Sequence, residues 1–316
     1  MICGVDVSSE CLDAQIGRQG VCKSFSNDQA GIAALADFCR QHAVHLLAME
    51  ASGGYEQLAF GLLWSMGIEV AIVNARSVRK FAQAMHLFEK TDRIDAGVIA
   101  WYAETKKVVP TPAGSIQQQQ LKALATRLRQ LTKLRALERN HRTLVTDVTV
   151  LASLHQVLLL LTRQIKELEK QIANLIASDP VWGKLDTTFR SIKGVANRTV
   201  ACLMAELPEI GMMSNKRISK LAGVAPLADD SGKHKGKRHI YGGRQEVRNI
   251  LYIIVTCVSH HNQDFAAFKE RLSKAGKPKK VIRIALAHKL LIRLNAKARD
   301  MRQALAQAPG PLTVRP

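Results

Sequence analysis

Apolar positions in the first third of the chain change their period twice. Residues 2–7, 12–16 and 21–25 are short, half-apolar segments separated by Ser8-Ser9-Glu10 and by a turn at residues 17–20, the pattern of three β-strands joined as a meander. Helical spacing takes over at 28–41, an unbroken apolar strand follows at 45–49, and helix and strand alternate again at 55–66 and 69–73. Two further helices are predicted at 77–86 and 91–106, the second with Thr91 as its N-cap. Three antiparallel strands followed by alternating helices and strands predict a mixed sheet with helices on its faces, an α/β domain over residues 1–112.

Pro110, Pro112 and Gly114 interrupt the pattern. Beyond them Leu121, Leu124, Leu128 and Leu131 step by three and four, and Leu151, Leu154, Leu158, Leu161, Ile165, Leu168, Ile172 and Leu175 do so without error. That period predicts a coiled coil or helical hairpin over residues 113–180, and association of subunits through it. Asp179-Pro180 closes the arm, and residues 181–316 read as a mainly helical domain with basic loops.

Charge sharpens this division. Of the 316 residues, the first 110 hold 10 Lys/Arg against 12 Asp/Glu, and the remainder hold 36 against 14, so a net −2 segment precedes a net +22 segment. The excess predicts a polyanionic partner, double-stranded DNA, bound through counterion release. No consecutive apolar run approaches the ~18 residues of a spanning helix, and the start Met1-Ile2-Cys3-Gly4 carries no signal pattern. A cytoplasmic, nucleoid-associated protein is therefore expected. The six cysteines are not spaced for zinc or for a disulfide framework. Fifteen aromatic residues supply too little surface for a broad base-stacking platform.

The acidic segment places Asp6 at the exit of the first strand, Glu50 at the exit of the fourth, and Asp92 and Asp95 three apart on one helix. Singly, such residues are more often a solvated face or a turn. Jointly they form a hard-oxygen set suited to Mg²⁺, and two such ions would clamp the attacking and leaving oxygens of a phosphodiester.

Gly4-Val5-Asp6-Val7-Ser8, Met49-Glu50-Ala51-Ser52-Gly53, Val73-Asn74 and Lys90-Thr91-Asp92-Arg93-Ile94-Asp95-Ala96 resemble the motifs of the DEDD insertion-sequence transposases related to the pilin-gene invertase Piv. The resemblance runs through nearly the whole chain. It implies an RNase H-like (RuvC-like) domain, Asp6, Glu50, Asp92 and Asp95 as the metal tetrad, and direction by a structured non-coding guide RNA, as in several members.

In the basic half, Ser191-Ile192-Lys193-Gly194-Val195-Ala196-Asn197-Arg198 is similar to a helix-hairpin-helix, though Ala196 stands where a second glycine is usual; a helix C-cap inside a bundle explains the same residues. Lys233, Lys235, Lys237, Arg238, Arg244 and Arg248 are interleaved with glycines in a loop able to approach a phosphate backbone closely, and join Lys193 and Arg198 as candidate nucleic-acid contacts. By composition Ser231 is an ordinary turn serine. The resemblance makes it the nucleophile that bonds to DNA, and no other serine lies between Leu221 and Arg248.

The combined expectation is a recombinase with a composite active site: Mg²⁺ held by the tetrad, and Ser231 delivered by the basic domain, from the same or another subunit. A Holliday-junction endonuclease would use the same tetrad with metal-activated water and no Ser231. A sugar kinase or actin-like ATPase would need a phosphate-gripping glycine after Asp6, where Ser8-Ser9-Glu10 stands. A non-catalytic DNA-binding protein leaves the carboxylates unexplained.

Overall fold

The computed structural model describes residues 1–87, 92–232 and 234–307, without the side chains of residues 92–94, 234 and 235. It comprises two compact units, Met1–Ala113 and Gly114–Pro316. Residues 111–113 carry no charge, so the unit boundary coincides with the charge boundary.

The first unit runs β1 (Ile2–Val7), β2 (Cys11–Ile16), β3 (Cys22–Ser26), α1 (Gln29–Gln41), β4 (Leu46–Glu50), α2 (Glu56–Ser65), β5 (Val70–Val73), α3 (Ala75–Ala84) and α4 (Asp92–Thr105). Its sheet has the order β3-β2-β1-β4-β5, antiparallel from β1 to β3 and parallel from β1 through β4 to β5. This is the mixed α/β sheet that the apolar pattern predicts, and the parallel neighbours are joined by helical crossovers, as parallel pairing requires. The predicted Thr91 cap lies outside the described residues. Asp28 caps α1 by accepting from the Gly31 amide at 2.8 Å, and Asn74 caps α3 through Ser77.

Side chains alternate across this sheet. Cys3, Val5, Leu47 and Met49 pack with Ile32 and Leu35 of α1 and Leu63 of α2. On the other face Ala48 and Val73 pack with Val78 and Phe81 of α3 and with Val98, Ile99 and Ala103 of α4. Gly4 lets α4 lie directly on β1: a Cβ there would stand 2.0 Å from the Ala96 carbonyl oxygen and 2.5 Å from the Ala100 nitrogen.

The second unit opens with α5 (Ile116–Arg142) and α6 (Val148–Ser178), an antiparallel helical hairpin. Leu161, Ile165 and Ile172 of the predicted stripe are buried, with Ile176 beside them, while Leu151, Leu154 and Leu158 toward the hairpin turn are only half-buried. The remaining elements are α7 (Pro180–Arg190), α8 (Asn197–Glu206), α9 (Asn215–Leu221), a small hairpin of β6 (Asp230–Ser231) and β7 (His234–Lys235), α10 (Gln245–His261), α11 (Gln263–Lys274) and α12 (Lys279–Gln307). One core joins Leu121, Leu128 and Ile165 of the arm to Phe189, Leu203, Leu251, Phe265 and Leu290.

By length and composition α6 is apolar enough to cross a membrane. Its longest unbroken apolar run is only Val157–Leu161, and the rest of its apolar residues are spread by the three–four step. Of that apolar window 11% is buried, and the residues of α6 that pack into the core are Leu161, Ile165, Ile172 and Ile176.

Candidate active site and nucleic-acid interface

Parallel pairing of β1 with β4 sets Val5 opposite Met49, so the next step along both strands puts Asp6 beside Glu50 at the carboxyl edge of the sheet. Both share the parity of Gly4 and Ala48, and therefore face the side covered by α4. Helix α4 begins at this edge with Asp92 and Asp95 in its first turn, immediately before the Ala96 that rests on Gly4. Asp6, Glu50 and Asp95 are all half-buried. Asp13 is a carboxylate the sequence reading passed over: it pairs in register with Asp6 and accepts from the Ser24 hydroxyl.

A set of carboxylates at one sheet edge suits a hard divalent cation in its donor chemistry. Among the described residues no three His, Cys, Asp or Glu side chains are grouped closely enough to hold a metal ion, and Asp92, one of the four expected ligands, has no described side chain.

Two further residues fasten the loops that follow Asp6 and Glu50. Asn27 Nδ2 donates to the Ser8 carbonyl at 2.9 Å and to the Tyr55 carbonyl at 3.1 Å, bridging the two loops, and its Oδ1 is buried without a partner among the described residues. Glu56 is 6% exposed. Its Oε2 accepts from the Gly54 amide at 2.8 Å, the Ser52 hydroxyl at 3.0 Å and the Ser52 amide at 3.1 Å. Burial raises its pKa, but hydrogen bonds from Gln57, Gly54 and Ser52 outweigh that and hold it below the ordinary glutamate value. The available signal was a glutamate in the first helical turn after a glycine loop, where an acid satisfies open amides.

In the second unit, Ser231 is exposed and pairs with His234 across the end of the β6–β7 hairpin, with Gly232 in the left-handed turn at φ +54°. Lys233 lies outside the described residues, and of Lys235 only the backbone is described. Lys237 and Arg238 are exposed in the segment that follows β7, with Arg238 3.7 Å from Asp230. Arg244 is committed elsewhere: its guanidinium grips both Glu209 carboxylate oxygens at 2.6 Å and the Glu206 carbonyl at 2.8 Å. Arg248 donates to the Gly242 carbonyl at 2.6 Å.

The α7–α8 turn has the predicted glycine, Gly194, at φ +96°. A Cβ there would stand 2.8 Å from Val258 Cα, so the turn is pressed onto α10, as the bundle explanation of this glycine requires. Lys193 is exposed, whereas Arg198 pairs with Glu169.

Comparison with known proteins follows the same division. A DEDD transposase family model of IS110 type matches residues 3–162, just over half of the chain, and a second, for the transposase IS116/IS110/IS902 family, matches residues 186–270. The pilin gene-inverting proteins of Moraxella lacunata and Moraxella bovis are each 27% identical over 300 residues, covering 91% of this chain and 92% of theirs. A RuvC structure from Thermus thermophilus aligns with 35% of this chain and 99% of its own at 13% identity and a TM-score of 0.25, too slight a likeness to bear on the argument. Asp6, Glu50, Asp92 and Asp95 fall in the first match and Ser231 in the second, and the chain belongs to the IS110 family of transposases, enzymes of DNA recombination.

Proposed function

We propose that this transposase cuts and rejoins DNA through a covalent serine–DNA intermediate. The observation that carries the metal half is the β1–β4 register, which brings Asp6 and Glu50 side by side under the first turn of α4. Asp6, Glu50, Asp92 and Asp95 would hold two Mg²⁺ ions, which supply charge neutralisation at a phosphodiester when bound. For the other half, Ser231 stands exposed on a hairpin that is followed at once by the exposed Lys237 and Arg238. Its Oγ attacks phosphorus in line. A bond forms between Oγ and phosphorus, the bond from phosphorus to one sugar oxygen breaks, and the serine proton ends on that departing oxygen. The phosphodiester bond is conserved, so a second strand's hydroxyl reverses the step and joins the ends without ATP.

The partners are donor and target duplexes in the cytoplasm, a guide RNA, and further copies of the chain. Support for self-association lies at the far end of the α5–α6 hairpin, where Leu137, Leu144, Val148 and Leu159 are exposed. Support for a guide is the family resemblance together with the +22 charge of the second unit.

The test of the serine step is a denaturing gel of protein incubated with labelled DNA from its own element. The parent chain should carry a covalent DNA adduct and Ser231→Ala should not. Cleavage without adduct, or a fully active Ser231→Ala variant, would leave the water-activating endonuclease in its place. Sequencing RNA that copurifies with the chain tests the guide.

A further inference from the structure

The second unit holds an open groove of about 970 Å³ between α10, α11 and α12, bounded on one side by the segment that returns from the Ser231 hairpin. That volume is at the upper end for a small-ligand pocket. Its floor is apolar, with Pro226, Ile240, Tyr252, Phe268, Ile284 and Ile292. Around it stand Arg238, Arg271, Lys280, Lys289 and Arg293, and no carboxylate is among the described lining residues. The nearby acids are already used, Asp264 on Arg293 at 2.7 Å and Asp230 on Arg238.

The rings and cations of the groove occur together. The Lys289 ammonium lies 4.6 Å and the Arg271 guanidinium 5.1 Å from the centre of the Phe268 ring, and Arg283, outside the groove lining, lies 5.2 Å from that of Tyr252. An apolar floor with cations over and around its rings matches one ligand chemistry closely: an unpaired nucleotide, with its base against the apolar side chains and its phosphates on the cations. A paired duplex hides its base faces and would use the cations alone. Two neighbouring groups agree with this. Burial, then the Arg293 and Arg271 charges, push the Lys289 ammonium below the ordinary lysine value, a crowding that a phosphate relieves. Burial also lowers the His288 pKa, so at neutral pH its imidazole offers one donor and one acceptor to a base edge.

The hairpin relates the groove to the reacting strand. Ser231 pairs with His234, Asp230 with Lys235, and Leu227 with the groove-lining His239. From Leu227 to Ser231 the chain can span at most about 13 Å at roughly 3.3 Å per residue, no more than about four steps of a B-form strand. We propose that this groove takes an unpaired nucleotide of the DNA strand being cut, within about four nucleotides of the phosphate that Ser231 attacks. The distance to the scissile phosphate rests on the serine reading; the nucleotide pocket does not.

The experiment uses full-length Ser231→Ala protein, which binds without cutting, and short DNA duplexes identical except for one unpaired 2-aminopurine. The unpaired duplex should bind roughly tenfold tighter, in the range expected for stacking one base on an aromatic ring, with quenching of the 2-aminopurine fluorescence. Tyr252→Ala and Val281→Glu, checked for folding by thermal melting, should bring the affinity ratio of the two duplexes close to one. A ratio near one in the parent, an equal loss on both duplexes in the variants, or a preference seen only when the unpaired nucleotide is in an RNA strand would overturn the proposal. The adduct gel reads the serine separately: a missing adduct with the ratio intact removes the serine step and leaves the pocket standing.

Discussion

The two units place their chemistry by different means. In the first, strand register does the placing: once β1 and β4 pair in parallel, Asp6 and Glu50 are neighbours, and Gly4 lets α4 bring Asp95 to the same edge. In the second, helices form the core and the chemistry sits on what connects them, a hairpin of two-residue strands and exposed lysines and arginines. Sites fixed by register tolerate little movement and reward exact side chains, whereas a charged surface works by sum. Substitutions should therefore separate the units by kind of effect as well as by size.

The largest effect is expected from Asp95→Ala in the first unit. Strand cleavage should fall by about three orders of magnitude or more, the scale seen when a group that stabilises charge in the transition state is lost, while duplex affinity in a filter-binding assay stays within about twofold. A variant that still cleaves would mean that this edge is not the reaction centre.

Next in size is a pair of glycines, one in each unit. Gly4→Ala drives a methyl into backbone atoms of α4, at 2.0 and 2.5 Å, so the helix must move and carry Asp95 with it. We expect a loss of about 3 kcal/mol, at the upper end for overpacking, with cleavage per folded molecule falling as well. Gly194→Ala meets Val258 backbone at 2.8 Å from a left-handed conformation. It should cost comparable stability yet leave cleavage per folded molecule intact. Denaturant melts paired with active-site-normalised rates distinguish the two, and equal behaviour would erase the contrast.

Glu56→Gln should be milder. Losing charge-assisted bonds to Ser52 and Gly54 is expected to cost about 1.5–3 kcal/mol and to loosen the loop after Glu50. The folded pKa of Glu56 is depressed, so its contribution is fully present above the ordinary glutamate value near 4.3 and is lost as pH falls through the lowered value. The melting-temperature gap between parent and Glu56→Gln should be widest at neutral pH and close in acid. A gap constant with pH would show that the charge is not what holds the loop.

These contrasts also mark what could be read in the sequence. The strands of the first unit were legible because their apolar periods are short and sharply broken, and Asp6 and Glu50 because each ends an apolar strand. Asn27 was not, since a surface-type residue that ties two loops together has no local pattern: its partners Ser8 and Tyr55 come from other segments of the fold. Glu56 left a local trace, a glutamate in the first helical turn that binds Ser52 and Gly54 just before it, but nothing there marks it as buried. Charge counting had the reverse fault in the second unit. It ranks every arginine of a basic loop alike, although Arg244 is bound on Glu209 and Arg198 on Glu169. The heptad of α6 predicted its buried stripe but not that the stripe would meet α5 of the same chain and share one core with the basic helices.

The smallest effect tests the difference among the cations. DNA affinity falls with salt in proportion to the number of phosphates neutralised, by about 0.9 in logarithmic slope for each contact. Lys237 is exposed, and Lys237→Ala should lower the slope by about one with no change in melting temperature. Arg244 grips both oxygens of Glu209 and the Glu206 carbonyl, which joins the end of α8 to the start of α10. Arg244→Lys keeps the charge but loses the planar fork, so it should lower the melting temperature while the slope stays at the parent value. Were Arg244→Ala to reduce the slope by one without destabilising the fold, Arg244 would belong to the DNA surface after all, and the distinction between cations that hold the second unit together and cations that face the nucleic acid would have to be redrawn.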